Sequence, residues 1–426
     1  MICVDRELKL QPAYDFSKIA PLSRIVFFDI ETTGFVAGKA SLYLIGIVHH
    51  ASGSWRLRQW FAESLLDEEP LLEAFFDFLA EKRRESSAPH LFLIQYNGAM
   101  FDLPFVKRCA AQYHLPYSFS DVIGIDLYQK VKPFKKLLRL ENCRLKTVEQ
   151  SLGIAREDRY SGGELIAVYE EYLRLGQLSS ESCEATPQNE ALRAHLLQTL
   201  LLHNAEDIAN LPLVCGILAY EELYAGAFSF ISAEVLKQNS GAEGGFAAKP
   251  FLEAAQENGV TETRAQEEET QNEGAQKEGE QLILKLRFRL ESPLPAPLCL
   301  ETPDWTLRLD EEDRTLFELT VQLFSGELKY FFADYKNYYY LTMEDYAVHK
   351  SVGEYVDRKV RRQATAKTCY QRRRGVFLPE PEPIFAPVLY RAYKTPPQYA
   401  ELPKELLAVP AKKWEAYALA VLNSLK

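Results

Sequence analysis

Two hydrophobic periods alternate along the chain, and the points where one gives way to the other mark its elements. After a polar, irregular start, Ile25-Val26-Phe27-Phe28 opens a run that predicts a buried strand over 24–30. Positions 42–48 and 55–61 alternate like half-exposed strands, with Ser52-Gly53-Ser54 as the turn between them. The sheet is therefore expected to open as a three-stranded meander. Leu71, Leu72, Phe75, Phe76, Phe78 and Leu79 then recur at helical spacing. Asp67, Glu68 and Glu69 precede them and Lys82, Arg83 and Arg84 follow, as the helix dipole favours. Further strands are predicted at 90–96 and 121–126, and helical patterns at 127–140, 145–152, 164–175 and, longest, 190–217.

The second half reads differently. From 238 to 281 Glu, Gln, Gly and Ala dominate, and so few large apolar residues cannot offset the entropy of ordering. A flexible linker is expected at 237–281. Beyond it, 282–290 alternates in strand fashion, and 316–324, Ser325-Gly326 and 327–332 look like a hairpin. Helical patterns at 345–360 and at the C-terminus complete a smaller α+β domain over 282–426. The first 22 residues read as an extension, and 23–236 as the main α/β domain.

Composition narrows the function. The net charge of −11 argues at first against a nucleic-acid partner, but 251–281 alone holds nine Glu against one Arg and one Lys. The rest of the chain is close to balanced. The seven cysteines are scattered without a C-x-x-C pair, so neither a zinc ribbon nor a disulfide framework is indicated. Reduced thiols, no apolar run of membrane-spanning length and no signal-like start lead us to expect a cytoplasmic protein that does not enter a membrane.

Candidate chemistry collects at three places. Asp29 and Glu31 stand two apart at the end of the first strand, where side chains share one face. Like charges this close repel unless a cation lies between them, so the pair reads either as half of an oxygen-ligand site for Mg²⁺ or Mn²⁺ or as a solvated strand end. Asp102 follows Asn97-Gly98 where a strand hands over to a helix, the kind of place where α/β sheets collect ligands. His203 and Asp207 lie one turn apart on the longest helical pattern and share a face.

Taken in order, these stations resemble the three exonuclease motifs of the DEDD superfamily, whose members share the ribonuclease H-like fold. Asp29-Ile30-Glu31-Thr32-Thr33-Gly34 is similar to the first motif, Asn97 to Asp102 with Leu103-Pro104-Phe105 to the second, and His203 to Asp207 to the third. Between the last two, Ile125-Asp126-Leu127-Tyr128 and the stretch from Leu145 to Ile154 resemble the YprB-type branch. The resemblance implies a mixed sheet flanked by helices, with Asp29, Glu31, Asp102 and Asp207 as metal ligands. Four carboxylates can hold two divalent ions, Mg²⁺ or Mn²⁺, which fits 3′-5′ hydrolysis of DNA or RNA phosphodiesters.

The resemblance also implies roles further out. The family places a His five residues, or a Tyr four residues, before the last Asp. Here His203 stands four before Asp207, and it reads as a water-orienting base or as a helix histidine packed on the sheet. Thr32, Thr33 and Gly34 resemble the segment lining the scissile nucleotide, and Asn97 is placed to bond phosphate or sugar. Their other reading is turn formation.

Two basic tracts bear on the partner, which we expect to be nucleic acid, single-stranded or bearing a 3′ end. Lys132, Lys135, Lys136, Arg139, Arg144 and Lys146 form the first. Arg361, Arg362, Arg372 and Arg373, near Tyr338, Tyr339, Tyr340 and Tyr370, belong to the second, which is expected to grip substrate. Each tract reads equally as a solvated surface, the second with tyrosines in a core. No protein partner is indicated. Two rivals to a metal-dependent exonuclease stay open: a non-catalytic module that binds nucleic acid or protein, and a structure-specific endonuclease on the same metals.

Overall fold

The computed structural model describes residues 1–34, 36, 38–86, 89–117, 119–181, 186–238 and 281–425. They divide into two compact units, Met1–Glu221 with Ser292–Ala296, and Glu222–Glu291 with Pro297–Lys426.

The first unit is built on six strands, β1 (Ile2–Leu8), β2 (Ile25–Thr32), β3 (Leu42–Ala51), β4 (Ser54–Phe61), β5 (Leu91–Gln95) and β6 (Val122–Asp126). Their order in the sheet is β1-β4-β3-β2-β5-β6. The expected meander is β2-β3-β4, antiparallel throughout. Its turn places Ser52 and Gly53 at φ 51° and 81°, as a two-residue turn that follows the strand twist requires. β5 and β6 run parallel to β2, so the ends of β2, β5 and β6 open on the same edge.

β1 departs from the irregular extension read there. It pairs with β4 from Ile2↔Phe61 to Leu8↔Trp55, and Asp5 bonds Arg58 at 2.7 Å. An exposed edge strand needs little apolar surface of its own, and its partner lies 53 residues away, beyond any local pattern.

Helices cover both faces. α1 (Glu68–Glu85) lies on the face that carries Phe28, whose ring stacks on Phe75 at 5.0 Å. Alternation turns Asp29 and Glu31 to the opposite face. α2 (Asp102–Gln112) follows β5, and α3 (Leu127–Val131), α4 (Leu145–Ser151) and α5 (Gly162–Glu181) follow β6. The helical pattern of 127–140 stops at Val131, where a 3₁₀ turn containing Pro133 begins. α6 (Pro187–Ala209) crosses β3 at Gly46, where a Cβ would stand 2.0 Å from Asn204 Oδ1 and 2.6 Å from Ile208 Cδ1. Only glycine lets α6 approach so closely. Pro212 then breaks the pattern of 190–217 into the short α7 (Leu211–Val214) and α8 (Leu218–Tyr224).

The second unit is mostly β. Strands β7 (Phe228–Gln238), β8 (Gln281–Leu290), β9 (Cys299–Glu301), β10 (Trp305–Leu309) and β11 (Leu316–Gln322) form one sheet in the order β7-β8-β11-β10-β9. The main domain was expected to run to 236, but β7 finds its hydrogen-bond partner in β8, from Phe228↔Leu290 to Gln238↔Gln281. Of the linker expected at 237–281, Lys237, Gln238 and Gln281 lie in β7 and β8, and 239–280 fall outside the described residues.

β12 (Phe324–Phe331) belongs to a second sheet with β16 (Tyr370–Glu380), β17 (Val388–Leu389) and β18 (Gln398–Glu401). The hairpin expected at Ser325-Gly326 is therefore absent. Both residues sit inside β12, where Gly326 pairs with Gly375 and the Phe324 ring occupies the space a Cβ would need, at 2.8 Å. β13 (Tyr338–Leu341), β14 (Tyr346–His349) and β15 (Arg361–Gln363) make a three-stranded sheet. The helix expected over 345–360 shrinks to α9 (Lys350–Gly353), because Tyr346–His349 pairs with β13. α10 (Ala411–Ser424) is the expected C-terminal helix, with Trp414 and Tyr417 fully buried and the Tyr417 hydroxyl donating to Pro379 O at 2.7 Å. No helix among the described residues is long and apolar enough to cross a membrane.

Candidate active site

The site forms where the end of β2 meets the last turns of α6. Asn204, fully buried, donates through Nδ2 to Asp29 Oδ2 at 3.0 Å. Its Oδ1 accepts from Gln59 Nε2 at 2.9 Å, and the same Nε2 donates to Leu201 O. This chain of amides fixes one Asp29 oxygen and leaves the other without a hydrogen bond among the described residues.

Asp102, the first residue of α2, enters from the neighbouring strand end. Asp126 shapes the turn that carries it, accepting from the backbone N–H groups of Asn97 at 2.7 Å, Ala99 at 3.3 Å and Tyr128 at 3.0 Å. Asn97 takes φ 61° there. Gly98 is also required, since a Cβ would lie 2.4 Å from Asp102 Oδ2 and 2.6 Å from Gln95 Oε1.

The result is a cluster of acids largely shielded from water, with Glu31 and Asp102 buried and Asp29 half-buried. Burial pushes the Asp29 carboxyl well above its ordinary range, and Asp102, Glu31 and Asp207 push it further. Glu31 is raised in the same way by burial, then Asp207, Asp102 and Asp158. Burial, with Asp126 and Asp207, brings Asp102 to about 7. Among the described residues no lysine or arginine offsets these three groups. His203 Nε2 lies 3.6 Å from Glu31 Oε1 and 3.5 Å from Asp207 Oδ2. The ligand atoms of Glu31, His203 and Asp207 all fall within 4.8 Å of one another. Glu31 and Asp207 converging with an imidazole, beside the raised Asp29 and Asp102, are a donor set that fits a divalent cation, although Arg156 also meets Asp207.

Behind His203 stands a loop whose importance the sequence does not show. Asp158, with its side chain 2% exposed, meets His203 Nδ1 at 2.8 Å. Arg156 bonds Asp207 and, at 2.8 Å, Glu149, and lies 3.6 Å from Asp158. Glu206 accepts the backbone N–H groups of Glu157 at 2.8 Å and Asp158 at 2.9 Å. Arg156 and Asp158 lie between helices, where no periodicity singles them out. Their partners are 51 and 45 residues away.

Residues 26–219 match the family model of the RNase_H superfamily. No curated protein matches the chain. The matched span runs from β2 into α8 and contains Asp29, Glu31, Asp102, His203 and Asp207. The first unit is thus an RNase H-like domain, which supports a nuclease or other nucleic-acid function and a hydrolase that uses divalent metal.

A cleft of about 900 Å³ opens on the RNase H-like site, lined by Glu31 and Asp207 together with Tyr96, Tyr128, Phe101 and Arg144. Of the residues read as substrate contacts, Thr32, Gly34 and Asn97 also line it. Thr33 turns away, and its hydroxyl accepts from Ser41 N at 2.8 Å. Lys146, read as part of a basic tract, is tied to Asp158 at 2.9 Å.

In the second unit, outside the matched span, Arg361 bonds Gly353 O and lies 4.7 Å over the Tyr339 ring. Arg372 donates to Glu344 O at 2.6 Å, and Arg373 pairs with Glu401. Arg362 is exposed on β15. Tyr338 stacks on Phe332 at 4.6 Å, and the Tyr340 and Tyr370 hydroxyls both donate to Asp345; Tyr370 is buried, and Tyr338 and Tyr340 are half-buried against Ala347, Ala364 and Cys369.

Proposed function

We propose that the RNase H-like domain is a metal-dependent 3′-5′ exonuclease on DNA or RNA, with two divalent ions held by Asp29, Glu31, Asp102 and Asp207. The observation that supports it most is the set of acids Asp29, Glu31 and Asp102, raised by burial and then by neighbouring carboxylates, beside an open cleft that Glu31 and Asp207 line. Such a set is costly unless cations are bound there. Mg²⁺ or Mn²⁺ in that set supplies a Lewis acid that acidifies an attacking water and stabilises the departing oxygen.

The protein's own groups then do the rest. His203 Nε2 is the acceptor for the water's proton as the oxygen bonds to phosphorus, the P–O3′ bond breaks, and the leaving oxygen is protonated by solvent. Tyr96, Tyr128 and Phe101 offer ring faces to a base, and Arg144 a cation to the next phosphate.

The ion pair between Arg156 and Asp207 favours a second reading, in which a cationic side chain takes the place of a metal and the domain binds nucleic acid without cutting it. A single strand labelled at its 5′ end, incubated with Mn²⁺, separates the readings. Stepwise shortening from the 3′ end is expected, with none after Asp29→Asn. Internal fragments would indicate an endonuclease, and binding without cleavage the second reading.

A further inference from the structure

The loop between α4 and α5 reaches the site through Arg156, which bonds Asp207, and through Asp158, which meets His203, and the second contact has more fastening than a surface loop needs. Asp158 is held from three sides. Lys146 Nζ bonds its Oδ2 at 2.9 Å, the Tyr160 N–H bonds its Oδ1 at 3.1 Å, and its own N–H is anchored by Glu206. Burial alone would push the Asp158 carboxyl up, but Lys146, His203 and the Tyr160 N–H together hold it below the usual carboxylate range. An ionised carboxylate accepts hydrogen bonds and cannot donate them. In the contact of 2.8 Å between His203 Nδ1 and Asp158 Oδ2, the proton therefore sits on the imidazole.

That assignment decides what the other ring nitrogen does. In a neutral imidazole one nitrogen donates and the other accepts. With Nδ1 committed to Asp158, Nε2 presents its lone pair to the space between Glu31 and Asp207, 3.6 and 3.5 Å away. Neither distance is a hydrogen bond. A lone pair facing carboxylates suits a bound cation or the proton of a water.

We propose that Asp158 is a positioning residue that fixes the Nδ1–H tautomer of His203 and so makes Nε2 a proton acceptor or ligand at the carboxylate cluster. This rests on the hydrolytic reading of the site for its catalytic consequence, but the tautomer itself does not. Lys146 takes the role of clamp on Asp158, a use of a tract cation that excludes it from gripping substrate.

The test uses full-length protein carrying ¹⁵N-labelled histidine. Two-bond proton–nitrogen spectra of the metal-free protein at about pH 8 report which nitrogen bears the proton. Wild type is expected to show His203 protonated on Nδ1 alone. In Asp158→Asn the new amide donates to Nδ1, and the proton is expected to move to Nε2. The same variant should lower kcat roughly 10²- to 10⁴-fold with KM changed less than about threefold. Lys146→Met, which loosens the clamp and keeps the carboxylate, should retain the tautomer and most of kcat. A wild-type ring protonated on Nε2 overturns the proposal, as does an Asp158→Asn protein with wild-type kcat. Wild type that shows the Nδ1–H tautomer and cuts no substrate overturns the nuclease reading instead.

Discussion

The acidic cluster of the first unit and the arginine-rich strands of the second carry charge in opposite conditions. Glu31 and Asp102 are buried and Asp29 half-buried, and these acids repel one another, with an amide and an imidazole as polar neighbours. Arg361, Arg372 and Arg373 are each met by an acceptor from their own unit, Gly353 O, Glu344 O and Glu401. A buried charge without a partner raises the free energy of the folded chain and persists where a ligand compensates it. A partnered surface charge contributes at most about 1 kcal/mol and implies little about function. Density of charge along the sequence is therefore a weaker guide to a site than the absence of compensation in space.

The largest effect should come from removing one of the uncompensated acids. Asp29→Asn keeps the bond partner for Asn204 in shape, yet is expected to cut cleavage by about 10⁴-fold or more, since it withdraws a charged ligand. It should also raise the melting temperature of the metal-free protein near pH 8, because one repelling charge has gone. Equal cleavage by wild type and variant in a gel assay would dissolve the contrast.

Next comes His203. His203→Ala should lower kcat roughly 10²- to 10⁴-fold with Mn²⁺ affinity changed only a few-fold, while His203→Tyr should recover part of the loss. Single-turnover rates read at saturating substrate and metal distinguish this from a packing role, in which His203→Ala would be fully active.

Acidity offers a smaller, graded effect. Burial, Asp126 and Asp207 bring Asp102 to about 7, above the unfolded value near 4, so the folded chain binds more protons between these values. Stability of the metal-free protein should then fall as pH rises from about 5 to about 8, by several degrees in Tm. Saturating Mn²⁺ should abolish the slope or reverse it. A flat profile in scanning calorimetry without metal would place the carboxylates in water.

The smallest effect belongs to the arginines. Arg373→Ala should lower Tm by about a degree or two and leave the KM for a single strand within about twofold. A tenfold, salt-dependent rise in KM would show that its guanidinium leaves Glu401 for phosphate.

Much of the fold was legible because its signals are local. Alternation placed β2, β3 and β4, the Ser52-Gly53 turn joined two of them, and helical spacing put His203 and Asp207 on one face. Asp102 likewise announced itself by the Asn97-Gly98 turn before α2. What stayed hidden depends on distant partners. β1 pairs with β4, β12 pairs with β16 instead of β11, and Tyr346–His349 joins a sheet where a helical pattern was read. Arg156 and Asp158 belong to the site only because α6 passes beneath their loop. Neither carries a pattern that separates it from other charged loop residues.

Calorimetric titration of the metal-free protein with Mn²⁺ near pH 7 shows whether the carboxylates around Asp29 form a divalent cation site. Because Asp29, Glu31 and Asp102 are raised, they hold protons that a cation must displace. Binding should therefore release protons, seen as a heat that varies with the ionisation enthalpy of the buffer, and Asp29→Asn should lose most of it. No binding by wild type, or the same isotherm from the variant, would mean that these carboxylates hold no cation.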